Sequence, residues 1–421
     1  MNTMSSRESL VCIFLVIVVT SVSGLAESTR RPSLRPIQSV SQRAALTASD
    51  GQQYSFVGTS VAVSGNTIVS GAPGIADGQG DVVPGAVYVY VKPAGGWQNM
   101  TQVAELTASD GGSCPSCGFG ASVAVSGNTI VVGSSLAKVY VYVEPQSGWV
   151  NMTETATLQA PSGPCLCGQV AIDENAIVVG SPLDASNYGS IQVYVKPAAG
   201  WQNTSQPNAT LTESVQGLED QMGSTVALSG NTVVSQGIVG TQNLRGVFVF
   251  VEPAGGWSGD LTETATLTST QQYASPFSVS VAGDTVVAGS PDPYQTTPFV
   301  DVWVKPASGW TDATETAQLT DDTSQPDSFG WAVVILGNTV ISGTPSGKVG
   351  KNRYRGAAYV FVKPASGWQT TSNPNAVLVV SNWTDNDGFG SSIAASGGTA
   401  VVGAPYWPMG NDIGAAYVFQ K

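Results

Sequence analysis

The sequence predicts an all-β fold: a seven-bladed β-propeller of four-stranded antiparallel blades, its ring closed by an N-terminal strand that completes the last blade. Three observations predict it. A Gly-Trp pair following Lys/Glu-Pro recurs at Trp97, Trp149, Trp201, Trp257, Trp310 and Trp368, at spacings of 52, 52, 56, 53 and 58 residues. A fixed period of that size marks a stacked or radial repeat. Each repeat holds four short β-type segments separated by turn residues, which suits a propeller blade. Finally, the chain starts its repeats with a lone outer-type strand, Ala44 to Ala48, and ends at Ala415 to Phe419 without one, so that the two partial units make one blade.

Within a repeat the first two strands form a hairpin such as Ser122 to Gly133, whose Gly127-Asn128 makes a tight turn between β-branched runs. The third strand is Ala86 to Val91 in the first blade and Val139 to Val143, Val247 to Val251 and Ala358 to Val362 in later ones. These strands are apolar on both faces rather than alternating, as expected of small sheets covered on both sides. The fourth alternates Thr with Ala or Leu and often begins with Glu, as in Glu154-Thr-Ala-Thr-Leu158 and Glu263-Thr-Ala-Thr-Leu267. That pattern is expected of an exposed edge guarded by charge. The six recurring Trp residues sit at one position in every complete repeat, as packing residues do.

Composition narrows the function. The 421 residues are 42% hydrophobic and 11% charged, with 16 basic and 29 acidic residues and a net charge of −13. That sign disfavours nucleic acid and anionic membrane surfaces. The chain has no histidine, which removes Ser-His-Asp and Cys-His catalysis and His-ligated zinc. At the N-terminus a polar stretch with Arg7, the apolar run Val11 to Val19 and a small-residue stretch to Ala26 follow the order of a secretory signal. The run is too short to span a bilayer. The expected organisation is a signal over 1–26, a linker over 27–43 and the propeller over 44–421, giving a secreted monomer with no membrane insertion. Sequons stand at Asn99, Asn151, Asn203, Asn208 and Asn382, the first three each two residues after a Trp.

The first two strands resemble the FG-GAP repeat of integrin α-subunit N-terminal propellers and related secreted proteins. The Phe-Gly element appears at Phe119-Gly120, Phe329-Gly330 and Phe389-Gly390, with Val57-Gly58 and Met222-Gly223 as variants. The Gly-Ala-Pro element appears at Gly71 and Gly403, relaxed at Gly180, Gly289 and Gly343. Blades three and five lack the first element, and blades two and four have lost the second. A kelch repeat, of similar period, would show a Gly-Gly doublet ending an inner strand, which is absent. The calcium loops common in integrin-type blades do not carry over, because turns such as Gly65-Asn66 are too short for six to eight oxygen ligands.

In such blades the connections from second to third strand and from fourth to first lie on one face, and here they are the variable ones. They hold Asp50, Asp110, Asp321, Asp322, Asp327, Asp385 and Asp387, with Trp331 and Trp407 as candidates for ligand stacking along with Trp383. An acidic mouth around the axis is therefore expected, with the basic Lys348, Lys351, Arg353 and Arg355 of blade six as a secondary contact. No cofactor is expected; calcium is the one ion these acids leave open, nearest to a site at Asp385-Asn386-Asp387-Gly388. The expected role is extracellular recognition or adhesion, binding a protein or glycan. A secreted carboxylate-dependent hydrolase and a structural coat protein are the alternatives.

Cys114 and Cys117 lie in one variable loop and Cys165 and Cys167 in the next. Export favours two disulfides, with a zinc site as the alternative. A Cys-x-Cys ring is strained, so cross-links between the loops are expected. Non-reducing peptide mapping should join Cys114 or Cys117 to Cys165 or Cys167; local 114–117 and 165–167 pairs would refute this.

Overall fold

The structure, a computed structural model, describes residues 38–420 apart from 75–82, 112–117, 135–137, 160–168, 183–187, 216–220, 240–243, 272–276, 292–296, 322–327, 348–354, 382–385 and 409–410. Seven small sheets are present and, among the described residues, no helix. Strands are lettered A to D from the axis outward. Blade 1 consists of Ser60–Ser64, Thr67–Ala72, Ala86–Val91 and Ala104–Thr107. Blade 2 is Ser122–Ser126, Thr129–Gly133, Lys138–Val143 and Ala156–Gln159. Blade 3 is Val170–Asp173, Ala176–Ser181, Ser190–Val195 and Ala209–Thr212. Blade 4 is Val226–Ser229, Thr232–Val239, Leu244–Val251 and Ala265–Thr268. Blade 5 is Ser278–Ala282, Thr285–Ser290, Phe299–Val304 and Ala317–Leu319. Blade 6 is Ala332–Leu336, Thr339–Thr344, Ala357–Val362 and Ala376–Val379. Blade 7 is Ser392–Ser396, Thr399–Ala404, Ala415–Gln420 and the N-terminal strand Ala44–Thr47. Ala44 lies opposite Val418 and Leu46 opposite Ala416, so the N-terminal strand takes the D place of blade 7. The A strand of blade 7 neighbours those of both blade 6 and blade 1.

Five blades carry a fifth strand beyond the four antiparallel ones expected, while blades 2 and 5 have four. After each Trp the chain crosses back and lies parallel to the D strand of the preceding blade. Met152–Thr153 pairs with blade 1, Gly259–Thr262 with blade 3, Ala313–Thr314 with blade 4 and Met100–Thr101 with blade 7. Thr204 and Thr371 make single bridges to blades 2 and 5. For blade 6 the partner is Gln38–Ser41, from the stretch expected as linker, with Val40 opposite Leu378.

This corrects the reading of the Glu residues before strand D. They do not guard a free edge, because the next repeat already covers it. Instead Glu154 accepts the backbone N–H and the hydroxyl of Ser109 at 2.9 and 2.6 Å. Glu263 does the same for Ser214, and Glu315 for Thr270. Each carboxylate latches one blade to the turn of the blade before it.

The core is divided among the seams. Trp97, Trp149, Trp201, Trp257, Trp310 and Trp368 are between 1% and 6% exposed, each packed between its own blade and the preceding one. Truncating such a ring costs about 3–5 kcal/mol, so the recurring Trp residues are structural, as expected.

The two sequence motifs meet at the seams. A Cβ on Gly71 of the Gly-Ala-Pro element would stand 1.9 Å from the carbonyl oxygen of Gly120, the Gly of the next blade's Phe-Gly element. The same approach joins Gly403 to Gly58, Gly180 to Gly223, Gly289 to Gly330 and Gly343 to Gly390, at 1.9 to 2.1 Å. The second partner of each pair also has φ between +87° and +98°, which glycine adopts without strain. At the seams between blades 2 and 3 and between blades 4 and 5 the residues just ahead of strand A, up to 168 and 276, lie outside the described residues. By sequence count from the A–B turns, Cys167 and Pro276 stand where the Phe-Gly glycine is in other repeats; Gln236 replaces glycine in blade 4, while blade 2 keeps Gly133. The two motifs are halves of one contact at the five seams where both glycines are present.

Replacing Gly71 by Ala should therefore destabilise the protein by about 2–4 kcal/mol. Gly95→Ala, where an added Cβ meets nothing within 4 Å, should stay within about 0.5 kcal/mol. Urea unfolding of the two variants measures the contrast.

Candidate functional site

The A strands converge on the axis, and on the variable face their first residues ring a pocket of about 520 Å³. Its lining mixes hydroxyls and amides, including Ser60, Ser122, Gln169, Gln221 and Ser278, with Val side chains from the same strands. Two aromatic rings stand on its rim. Phe277 is 52% and Trp331 39% exposed, and their centroids are 4.5 Å apart at 38°. Both occupy the position just before strand A, which holds Thr59, Ala121, Ser224 and Ser391 in blades 1, 2, 4 and 7. Adjacent blades at identical registers bring the rings together without either being in the core.

Trp331 also borders a second pocket of about 300 Å³, opposite Tyr406, with Ser328, Ser346, Asn386 and Ser391 supplying polar groups. Tyr406 is exposed and edge-on to Phe56, their centroids 5.9 Å apart. Aromatic surface thus extends over blades 5, 6, 7 and 1 beside polar groups that can orient a ligand.

The acidic mouth expected on this face rests largely on loop residues outside the described ones. Among the described residues lining the axial pocket the charged one is Arg245, whose guanidinium donates to Gln236 Oε1 at 3.2 Å. The described acids stand elsewhere and are engaged. Asp50 accepts the hydroxyl of Tyr88 at 2.9 Å, while Asp110 pairs with Lys138 and accepts from Tyr140. Burial, then the charges of these acids, pushes both phenols well above the ordinary tyrosine range. Asp321 and Asp387 are buried, at 4% and 3% exposure. Trp407 is half-buried against the core of the blade 6–7 seam. Asp322, Asp327, Asp385, Trp383, Asn382, the basic Lys348, Lys351 and Arg353, and all four cysteines Cys114, Cys117, Cys165 and Cys167 lie outside the described residues. Among the described residues no three acids or cysteines gather into a metal-holding group.

The phased sequons have a structural reason. Asn99, Asn151 and Asn203 are exposed, and their Oδ1 atoms accept the backbone N–H of Ala45, Glu105 and Thr157 in the preceding blade. Asp312 serves Thr266 in the same way without forming a sequon. Asn208 is bound differently, accepting from Val195 within its own blade.

Sequence reasoning found Trp331 but missed Phe277, Tyr406 and Arg245. A signal for Phe277 was present: aromatics at a register otherwise held by small or polar residues. Tyr406 and Arg245 carry no such mark, since only the folded ring brings their loops to the pockets.

A family model described as FG-GAP repeat matches residues 40–90, 100–147, 313–361 and 374–419. Each matched unit runs from an outer strand through strands A to C of the next blade, so it spans a seam. With the seven-bladed architecture, this makes the chain an FG-GAP repeat protein. Such propellers are in general protein-interaction scaffolds and typical of extracellular proteins. A search of curated proteins finds no match. Among solved structures, the crystal structure of the computationally designed Ika8 protein is similar at 16% identity and a TM-score of 0.46, covering 89% of this chain and 99% of that one. Among the described residues, no helix is long and apolar enough to cross a membrane.

One buried acid outside the pockets sets a pH dependence. Asp301 lies on strand C of blade 5, where blades 1, 2, 6 and 7 carry Tyr88, Tyr140, Tyr359 and Tyr417. It is 2% exposed and accepts from Gln318 Nε2 at 3.0 Å. Burial raises its pKa from 3.8 to about 7, against the opposing hydrogen bonds of Gln318 and Ser269. The folded protein then retains a proton that the unfolded chain releases, so stability should fall as pH rises from 3.8 towards 7 and level off above. Asp301→Asn should abolish that slope and be more stable than the parent at pH 8, measured by urea unfolding across the range.

Proposed function

We propose that this protein is a secreted extracellular recognition module that binds a protein or glycan through the variable face of its propeller. One observation carries the reading: the exposed Phe277–Trp331 pair on the rim of a polar axial pocket. A solvent-exposed pair of touching aromatics is costly without a partner, and aromatic rings beside amides and hydroxyls suit a sugar ring or an aromatic-rich protein patch. The signal-like segment over 1–26, the family and the acidic composition support an extracellular setting. Adhesion is the use that setting favours. The rigid ring supplies a preorganised frame, so binding need not order the scaffold.

The contacts follow from the geometry. Phe277 and Trp331 form the platform, Tyr406 extends it, and Arg245 with Gln236 contributes hydrogen-bond donors at the rim. Calcium enters this reading only through Asp385 and Asp387, as an aid to the loop rather than a participant in stacking.

Screening the processed chain on a glycan array and against extracellular-matrix proteins identifies the ligand. Trp331→Ala should then weaken binding by about 1–3 kcal/mol while leaving the melting temperature unchanged, since the ring is outside the core. Binding insensitive to both Trp331→Ala and Phe277→Ala would move the site away from this face.

A further inference from the structure

The seam between blades 6 and 7 differs from the other six, and the difference is a cavity. Every other seam is filled by a Trp from the segment joining strands C and D. Among the described residues blade 7 carries no such segment: its C strand is Ala415–Gln420 and its D strand is the N-terminal Ala44–Thr47. At the corresponding place lies a predominantly apolar cavity of about 590 Å³. Ile341, Val360, Leu378 and Phe419 line it. Their registers are those of Val401, Val418, Leu46 and Tyr90, which surround Trp97 in the blade 7–1 seam.

A second substitution enlarges the space. Across the hairpin turn between strands A and B, facing residues are Val63 and Ile68 in blade 1, Val125 and Ile130 in blade 2, and branched pairs in blades 3 to 6. In blade 7 the pair is Ala395 and Ala400, and both line the cavity. The seam that lacks an indole has therefore also lost the two side chains that would partly fill its absence. At the opening Leu336 and Val362 are 39% and 46% exposed, which leaves apolar surface in contact with water.

We propose that the blade 6–7 seam is a binding site for a small planar aromatic molecule of indole size. The six sister seams show what these walls accept: a flat bicyclic ring held by apolar contact. In five of them the indole N–H has no hydrogen-bond partner in the structure, so the ring is taken as an apolar body. An apolar cavity of about 150 Å³ already suffices to bind benzene, and this one is larger. The site lies at the A–B turn end of the blades, on the face opposite the Phe277–Trp331 platform. It is independent of the recognition reading.

Titration calorimetry of the full chain with indole tests this. Saturable binding at one site is expected. Ala400→Ile, which installs the residue blades 1, 2 and 3 carry, should weaken it by about tenfold or more. Trp331→Ala should bind indole as the parent does. Thermal unfolding of Ala400→Ile checks that the variant folds, with a melting temperature at or above the parent's. Three results would overturn the proposal: no heat of binding up to the solubility of indole, unchanged affinity in Ala400→Ile, or binding that emerges only in Ile37→Gly. The last would mean that the chain's own residue, three positions ahead of Val40 as Trp97 is ahead of Met100, occupies the cavity.

Discussion

Neighbouring blades are positioned by the approach of two glycine backbones, one ending strand B and one preceding strand A of the next blade. At five seams no Cβ fits between them. This contact sets how closely the inner ends of the blades pack, and so fixes the width of the axial pocket they ring. At the other two seams the sequence differs: blade 4 has Gln236 at the strand B position, whereas blade 2 keeps Gly133 there.

Outside that contact the seams are closed by repeated devices acting at different radii. The Trp fills the apolar space, the parallel strand covers the edge, and Asn and Glu side chains bind the backbone of the blade before. All but the glycine come from the connection between strands C and D. The chain break falls in that connection for blade 7, and Gln38–Ser41 with Ala44–Thr47 replaces the strand pairings but not the Trp within the described residues. Joining the ring by pairing preserves backbone hydrogen bonds, which are costly to leave unmade. It does not restore packing, and the cavity at that seam is the consequence.

Function is placed on the side of the ring where repetition ends. The A–B turns repeat because Gly65, Gly127 and their counterparts must adopt positive φ at the first turn position. The opposite loops are under no common requirement, so residues such as Phe277 and Arg245 can differ between blades. Two of the acids expected at the mouth show the limit of counting charges along loops. Asp50 and Asp110 are in the loops foreseen but spend their charge on Tyr88, Tyr140 and Lys138 at blade seams, away from the pocket lining.

The sequence by itself determined the blade count, the strand order, the D-strand offset of the chain ends and the structural role of the six Trp residues. Each of these depends on local pattern repeated in phase, and periodicity is visible without coordinates. Only the tertiary structure decided which motifs touch, what the D-strand Glu and the phased Asn residues bind, and where aromatic surface gathers. Those depend on pairings between one repeat and the next, some 45 to 60 residues apart in chain and a few ångströms apart in space. A propeller makes such contacts through angles between blades, and no local pattern encodes them.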